Sequence, residues 1–174
     1  KKINSFHKLQ DSKKLKALSM NEEIIMIVKK LLRIKKPKLR QIEFFAKPKF
    51  VGLKAPCHQD NYYWNLKDKK GLTIWIVLNV SNKKNGGVYY YNGSHKIGLI
   101  KHVPSFSRGS SQTISDLKLL KKYKKVYPQL NVGDILIHHS MIAHGSNKNT
   151  SNKDRKGLTF QFVSSKSKLD LIKS

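Results

Sequence analysis

His58-Gln59-Asp60 sets an imidazole and a carboxylate one residue apart. On a β-strand, residues i and i+2 share a face, about 6–7 Å apart. So placed, the pair could grip one metal ion from adjacent corners. Taken alone, the tripeptide is better explained as a surface His–Asp hydrogen bond. A metal needs a third ligand, and His138, His139 and His144 are the candidates. Two histidines and a carboxylate on one side of a metal leave three positions open. That arrangement suits iron(II) with O2 and a chelating 2-oxo acid. The far carboxylate of such an acid needs a fixed cationic fork, which arginine supplies better than lysine. Arg155 follows the late histidines in a chain whose 36 basic residues include only four arginines, Arg33, Arg40, Arg108 and Arg155. Ser146, two residues beyond His144, would share its face on a strand and could donate a hydroxyl hydrogen bond to the same carboxylate.

The elements that must position these residues are mainly strands. Gln41–Ala46, Phe50–Leu53, His58–Tyr63, Leu72–Val80, Val88–Tyr91, Ile135–His139 and Leu158–Val163 are rich in β-formers. Leu72–Val80 is nearly all apolar and reads as buried on both faces. Asn85-Gly86-Gly87 and Asn92-Gly93 mark turns. Ahead of the strands, Ser19 stands three residues before Glu22, the spacing of a capping box. Ile24, Ile25, Ile27, Val28, Leu31 and Leu32 then predict an amphipathic helix that Pro37 stops. The first eighteen residues offer only Leu9, Leu15 and Leu18 as anchors. Residues 97–130 read as a long loop with one short helix near Ser115–Leu120, and loops of that length are usually functional. Many short strands with Gly turns argue a sandwich or barrel, mainly β, with one or two flanking helices.

Bulk properties narrow the function classes. A chain of 174 residues, 39% hydrophobic, is enough for one globular domain spanning 1–174. No apolar stretch reaches membrane-span length, and no signal core follows the N-terminus, so a cytoplasmic protein is expected. The single cysteine, Cys57, excludes a disulfide scaffold and reads as a core residue. The formal charge of +26 would attract polyanions. The lysines are nevertheless dispersed in pairs such as Lys13-Lys14, Lys69-Lys70 and Lys121-Lys122, with no aromatic-interleaved strip. Nucleic acid is therefore not the expected partner, and no obligate protein partner is evident. The competing reading is a non-enzymatic basic β-barrel module that binds nucleic acid or another polyanion.

The stretches His58-Gln59-Asp60, Leu72–Leu78, Asn85-Gly86-Gly87-Val88, Gly93-Ser94-His95-Lys96, Gly133–Leu136, His144-Gly145-Ser146 and Arg155 occur together in this order. In that order and spacing the sequence resembles the phytanoyl-CoA dioxygenase family of iron(II)/2-oxoglutarate oxygenases, from about residue 20 to residue 164. The resemblance implies a double-stranded β-helix (jelly-roll, cupin-like) with the metal in the barrel mouth. It implies His58, Asp60 and His144 as iron ligands, Arg155 and Ser146 on the far carboxylate of 2-oxoglutarate, and Trp75 beside the co-substrate or in the core. His95 is read as structural, and one of His138 and His139 could face the pocket. Tyr63, Trp64 and Arg108 are candidate contacts to a small-molecule substrate. The implied reaction is hydroxylation of a C–H bond by O2, with 2-oxoglutarate converted to succinate and CO2. Asp60 argues against a halogenase, which needs a small residue there. Gln161 argues against a related nucleic-acid demethylase, which carries a second arginine at that position. A zinc hydrolase would leave Arg155 and Ser146 unexplained. The N-terminal part is short relative to the family.

Overall fold

The computed structural model describes residues 5–107 and 110–170, so the candidate contact Arg108 lies outside the described residues. The chain runs through β1 (Ser5–Phe6), α1 (Lys13–Ser19), α2 (Glu22–Leu32), β2 (Pro37–Lys47), β3 (Ala55–His58) and α3 (Asp60–Trp64). It continues through β4 (Gly71–Val77), β5 (Val88–Tyr91), β6 (His102–Ser107), β7 (Ser110–Ile114), β8 (Lys125–Val126), β9 (Ile135–His139), β10 (His144–Ser146) and β11 (Arg155–Ser164). Five strands form one antiparallel sheet in the order β1-β2-β11-β4-β9, and four form another in the order β3-β10-β5-β8. The two sheets face each other as a double-stranded β-helix, and β6–β7 is a separate hairpin.

The period-2 alternation of the strands divides the larger sheet into two unlike faces. Ile42, Leu72, Ile74, Leu158, Phe160 and Phe162 point outward and are sealed by Val28 and Leu32 of α2. Helical spacing of Ile24, Ile25, Val28 and Leu32 gives α2 the apolar stripe that covers them. The alternate residues point into the barrel and are mostly polar: Glu43, Lys47, Thr73, Arg155, Thr159 and Gln161 are all buried. The smaller sheet has its own outer cluster of Cys57, Tyr89, Ile100, Ile114, Leu120 and Ala143. Among the described residues no helix is long and apolar enough to cross a membrane.

Several expectations are corrected. The helix start is capped by Asn21, whose side chain accepts from the Glu23 amide. Ser19 instead ends α1, and its hydroxyl donates back to the Lys16 carbonyl at 2.8 Å. α1 itself lies where only weak anchors were visible. Phe50–Leu53 forms no strand; Phe50 and Val51 lie in a turn, with Phe50 at φ 63°. The strand expected over His58–Tyr63 stops at His58 and turns into α3. The excursion over 97–130 holds the β6–β7 hairpin, a 3-10 turn at Leu117–Leu120 and β8.

Loss of an N-cap costs about 1 kcal/mol. Asn21→Ala is therefore expected to lower stability by roughly that amount in urea unfolding, and Asn21→Ser to restore most of it. An unchanged midpoint for Asn21→Ala would mean that α2 does not depend on its cap.

Candidate functional site

Three strands of the smaller sheet line up one row of side chains. His144 on β10 lies opposite His58 on β3 and opposite Tyr90 on β5. The imidazoles of His58 and His144 have their ring centres 4.4 Å apart. Each is held by the same device: Nδ1 lies 2.8 Å from the Pro56 carbonyl in His58 and 3.0 Å from the Ile142 carbonyl in His144. A carbonyl only accepts, so Nδ1 carries the proton and Nε2 is left with its lone pair.

Asp60 completes the cluster from the first position of α3. Ligand atoms of His58, Asp60 and His144 all lie within 4.8 Å of one another. Asp60 Oδ1 is 3.7 Å from His58 Nε2 and 3.6 Å from His144 Nε2. Its other oxygen, Oδ2, faces the larger sheet. There it accepts from the Thr73 hydroxyl at 2.9 Å and from His138 Nε2 at 3.1 Å. Burial opposes the charge of Asp60, yet His144, His138 and His58 hold its carboxyl well below the usual range. Burial, reinforced by His58, brings His144 down to about 3, so its ring is neutral, as a metal ligand must be.

His138 is tied on its far side to Tyr90, whose hydroxyl lies 3.1 Å from Nδ1. Burial and the nearby Asp60 charge push the Tyr90 phenol up, so it keeps its proton and donates. That leaves the Nε2 proton of His138 for Asp60. His139, one residue on, faces outward toward the exposed His95, with ring centres 6.2 Å apart.

Spacing alone assigns Gln59 no role between the two ligand candidates. It is fully buried and makes three side-chain bonds, to the carbonyls of Gly98 and Met141 and from the Ile100 amide. Its backbone amide donates to His102 Nε2 at 3.1 Å. These bonds turn the chain between His58 and Asp60 and tie the start of the 97–130 excursion to the site. Tyr63 stands beside the cluster, 42% exposed, with its ring 5.8 Å from that of His58 and its hydroxyl bonded to the Gln112 amide on β7. Trp64 is packed in a small cluster with Leu66 and Val163.

Arg155, 3% exposed, also lies in the barrel interior, within electrostatic reach of Tyr90. Its Nη2 donates to the Gly86 carbonyl at 3.2 Å, and its guanidinium lies 4.9 Å from the centre of the Trp75 ring. Gly157 is required here, since a Cβ would stand 2.2 Å from Trp75 Cζ2. Phe45 stacks on Trp75 at 5.8 Å. Nε and Nη1 of Arg155 are buried with no partner among the described residues. Ser146 is buried on the face of β10 that carries His144. Lys47 lies directly across the ladder from Arg155 and donates to the Asn147 carbonyl. An orphaned guanidinium fork with a second cation beside it fits a carboxylate.

Known proteins match most of this chain. The family model for phytanoyl-CoA dioxygenase matches residues 3–157, and the chain belongs to that family. It is 27% identical over 136 residues to the phytanoyl-CoA dioxygenase of Arabidopsis thaliana, covering 77% of this chain and 47% of that protein. It is 31% identical over 110 residues to the 1-deoxypentalenic acid 11-beta-hydroxylase of Streptomyces arenae, covering 61% and 38%. The chain thus spans less than half the length of these relatives. Among solved structures, EctD from S. alaskensis superposes with a TM-score of 0.81 at 19% identity, covering 97% of this chain and 59% of that one. The carbocyclase SnoK from nogalamycin biosynthesis superposes with a TM-score of 0.77 at 20% identity, covering 95% and 64%.

Burial and the neighbouring Arg155 bring Lys47 from its ordinary 10.5 down to about 7. A lysine whose pKa falls on folding binds fewer protons folded than unfolded, so stability rises with pH between those two values. The urea midpoint of the metal-free protein is expected to climb from pH 7 to pH 9.5, and Lys47→Met to flatten the climb. The same slope in both proteins would show that Lys47 does not carry it.

Proposed function

We propose that the protein is an iron(II)- and 2-oxoglutarate-dependent oxygenase that hydroxylates a small molecule. The observation that carries this reading is the pairing of a two-histidine, one-carboxylate cluster with an orphaned buried arginine in the same barrel. His58 Nε2, Asp60 Oδ1 and His144 Nε2 would hold the iron. Arg155, through Nε and Nη1, would take the far carboxylate of 2-oxoglutarate, with Ser146 donating to it and Trp75 forming the wall. With 2-oxoglutarate and O2 bound, the iron supplies the oxidation of a substrate C–H bond, yielding alcohol, succinate and CO2. The chain's own residues fix the geometry. Thr73 and His138 occupy Asp60 Oδ2, so Oδ1 alone is turned to the metal position. The carbonyls of Pro56 and Ile142 fix the tautomers of both histidines. Tyr63, exposed beside His58, would line the substrate's approach. Solved relatives of this fold include EctD with 2-oxoglutarate and 5-hydroxyectoine, and EctD with bound Fe. These support the choice of iron and of the 2-oxo acid.

Anaerobic addition of iron(II) and 2-oxoglutarate is expected to give a weak visible charge-transfer band. A folded, iron-loaded sample that shows none would sink the oxygenase reading. Asp60→Ala is expected to abolish succinate release. Arg155→Ala should raise the 2-oxoglutarate requirement by a factor of roughly 10–100, the loss of a charge-assisted pair, while iron binding persists. Equal loss of iron and 2-oxoglutarate in Arg155→Ala would contradict its assigned role.

A further inference from the structure

A second guanidinium enters the barrel at Arg40. The β2–β11 ladder pairs Gln41 with Gln161 and then Leu39 with Phe162, so Arg40 is the extra residue of a bulge. A bulge re-aims a side chain. Without it, Arg40 would continue the outward row of Ile42. With it, the Arg40 guanidinium turns to the inner face, where Nη1 donates to Gln161 Oε1 at 2.8 Å and lies 3.5 Å from Gln41 Oε1. Its plane rests over the Trp64 ring, 5.0 Å from the centre. Trp64 stands one helical turn after Asp60 on α3. Gln161 lies opposite Thr73, whose hydroxyl holds Asp60. Arg40 is thus next to the candidate metal cluster.

The carboxylates of Glu43 and Asp60 act on its charge from nearby, but neither pairs with it directly. Among the described residues Arg40 has no ion pair. Glu43 is the nearest inward carboxylate on β2, but its oxygens are taken by Gln41 Nε2 at 2.7 Å, by Gln161 Nε2 and by His7 Nδ1. The two glutamines therefore turn their amide nitrogens to Glu43 and their oxygens to Arg40. They brace the guanidinium through Nη1 alone, and Nε and Nη2 make no hydrogen bond to the described residues. A braced, ring-supported fork with two free edges fits a carboxylate bidentately.

Arg155 and the candidate metal position would between them take both carboxylates of 2-oxoglutarate. The cluster at Asp60 lies toward Gln161, through Thr73. On the oxygenase reading above, with Arg155 given to 2-oxoglutarate, an acid at Arg40 belongs to the other ligand. We propose that Arg40 anchors a carboxylate of the molecule to be oxidised, so that the substrate is a small organic acid.

Calorimetric titration of octanoate, its neutral isostere octanamide, and octyl phosphate into the iron(II)- and 2-oxoglutarate-loaded protein under anaerobic conditions tests this. The wild-type protein is expected to bind octanoate roughly 10–100 times more tightly than octanamide, the range of a charge-assisted hydrogen bond. Arg40→Gln is expected to bind the two alike. Arg40→Lys, which keeps the charge and loses the fork, should fall between them, and thermal melts of both variants report that they fold. Three results would overturn the assignment: no acid preference in the wild type, the same preference in Arg40→Gln, or tighter binding of octyl phosphate than of octanoate. The 2-oxoglutarate charge-transfer band is followed in the same samples. A band without acid preference sinks only the Arg40 assignment, whereas a missing band in the wild type sinks the oxygenase reading.

Discussion

A buried carboxylate is tolerable only when every lone pair is answered. At Asp60 the larger sheet answers one oxygen, and the other is left facing two imidazole lone pairs, where a cation would answer it. Oδ2 is bound from the larger sheet by Thr73 and His138, and Oδ1 looks to His58 and His144 on the smaller one. The carboxylate is therefore the point where the two layers of the barrel meet electrostatically. It also sets the polarity of the cluster. Three imidazoles within reach would repel one another if charged, and burial with His58 keeps His144 neutral. Lone pairs rather than protons are thus presented to the space between them.

The barrel interior is polar because its exterior is not. Leu158, Phe160 and Phe162 alternate with Thr159 and Gln161 on β11, and the period of 2 gives no other choice of face. α2 seals the apolar row, which fixes register. Fixed register in turn places Arg155, Gly157 and Thr159 opposite Lys47, Phe45 and Glu43. The one break in that register, the bulge at Arg40, adds a cation to the inner face instead of removing an apolar contact from the outer one. Shape and chemistry are set by the same alternation.

Much of this was legible in the residues, and the failures have physical causes. β4 and β11 were visible because β-branched and aromatic residues dominate them, in a near-continuous run on β4 and in alternation on β11. The residues of the cluster were visible because histidine, aspartate and arginine are chemically specific. The geometry joining His58 to Asp60 was not, since the same-strand assumption ignored Gln59. Three buried hydrogen bonds to Gln59 bend the chain into α3, and no local propensity records bonds to residues some 40 and 80 positions away. The β6–β7 hairpin was hidden by its serines and by Pro104, which leave no alternation to read. His138 and His139 are adjacent, so only the pairing of His138 with Thr73 decides which one points inward. Arg40 was invisible as an inward residue for the opposite reason: a strict period of 2 assigns it to the outer face.

The chain's use of its two kinds of cation bears on the same interior. Lysine is by far the commoner cation in this sequence, yet two of its four arginines, Arg40 and Arg155, turn their guanidinium groups into the barrel. Lys47 and Arg155 are cross-strand neighbours, both nearly inaccessible to solvent, and they respond differently to the same burial. Lys47 is brought down to about 7, close to losing its proton at neutral pH. Arg155 is brought down only to about 10 and stays charged. On the proposed reading, a dry pocket that must keep its charge until a carboxylate arrives cannot rely on an ammonium that discharges when desolvated. Arginine keeps the charge and presets the direction of its N–H groups. The lysine-rich surface can vary in position without consequence for the interior, whereas exchanging Arg155 for lysine would put a second discharging amine beside Lys47.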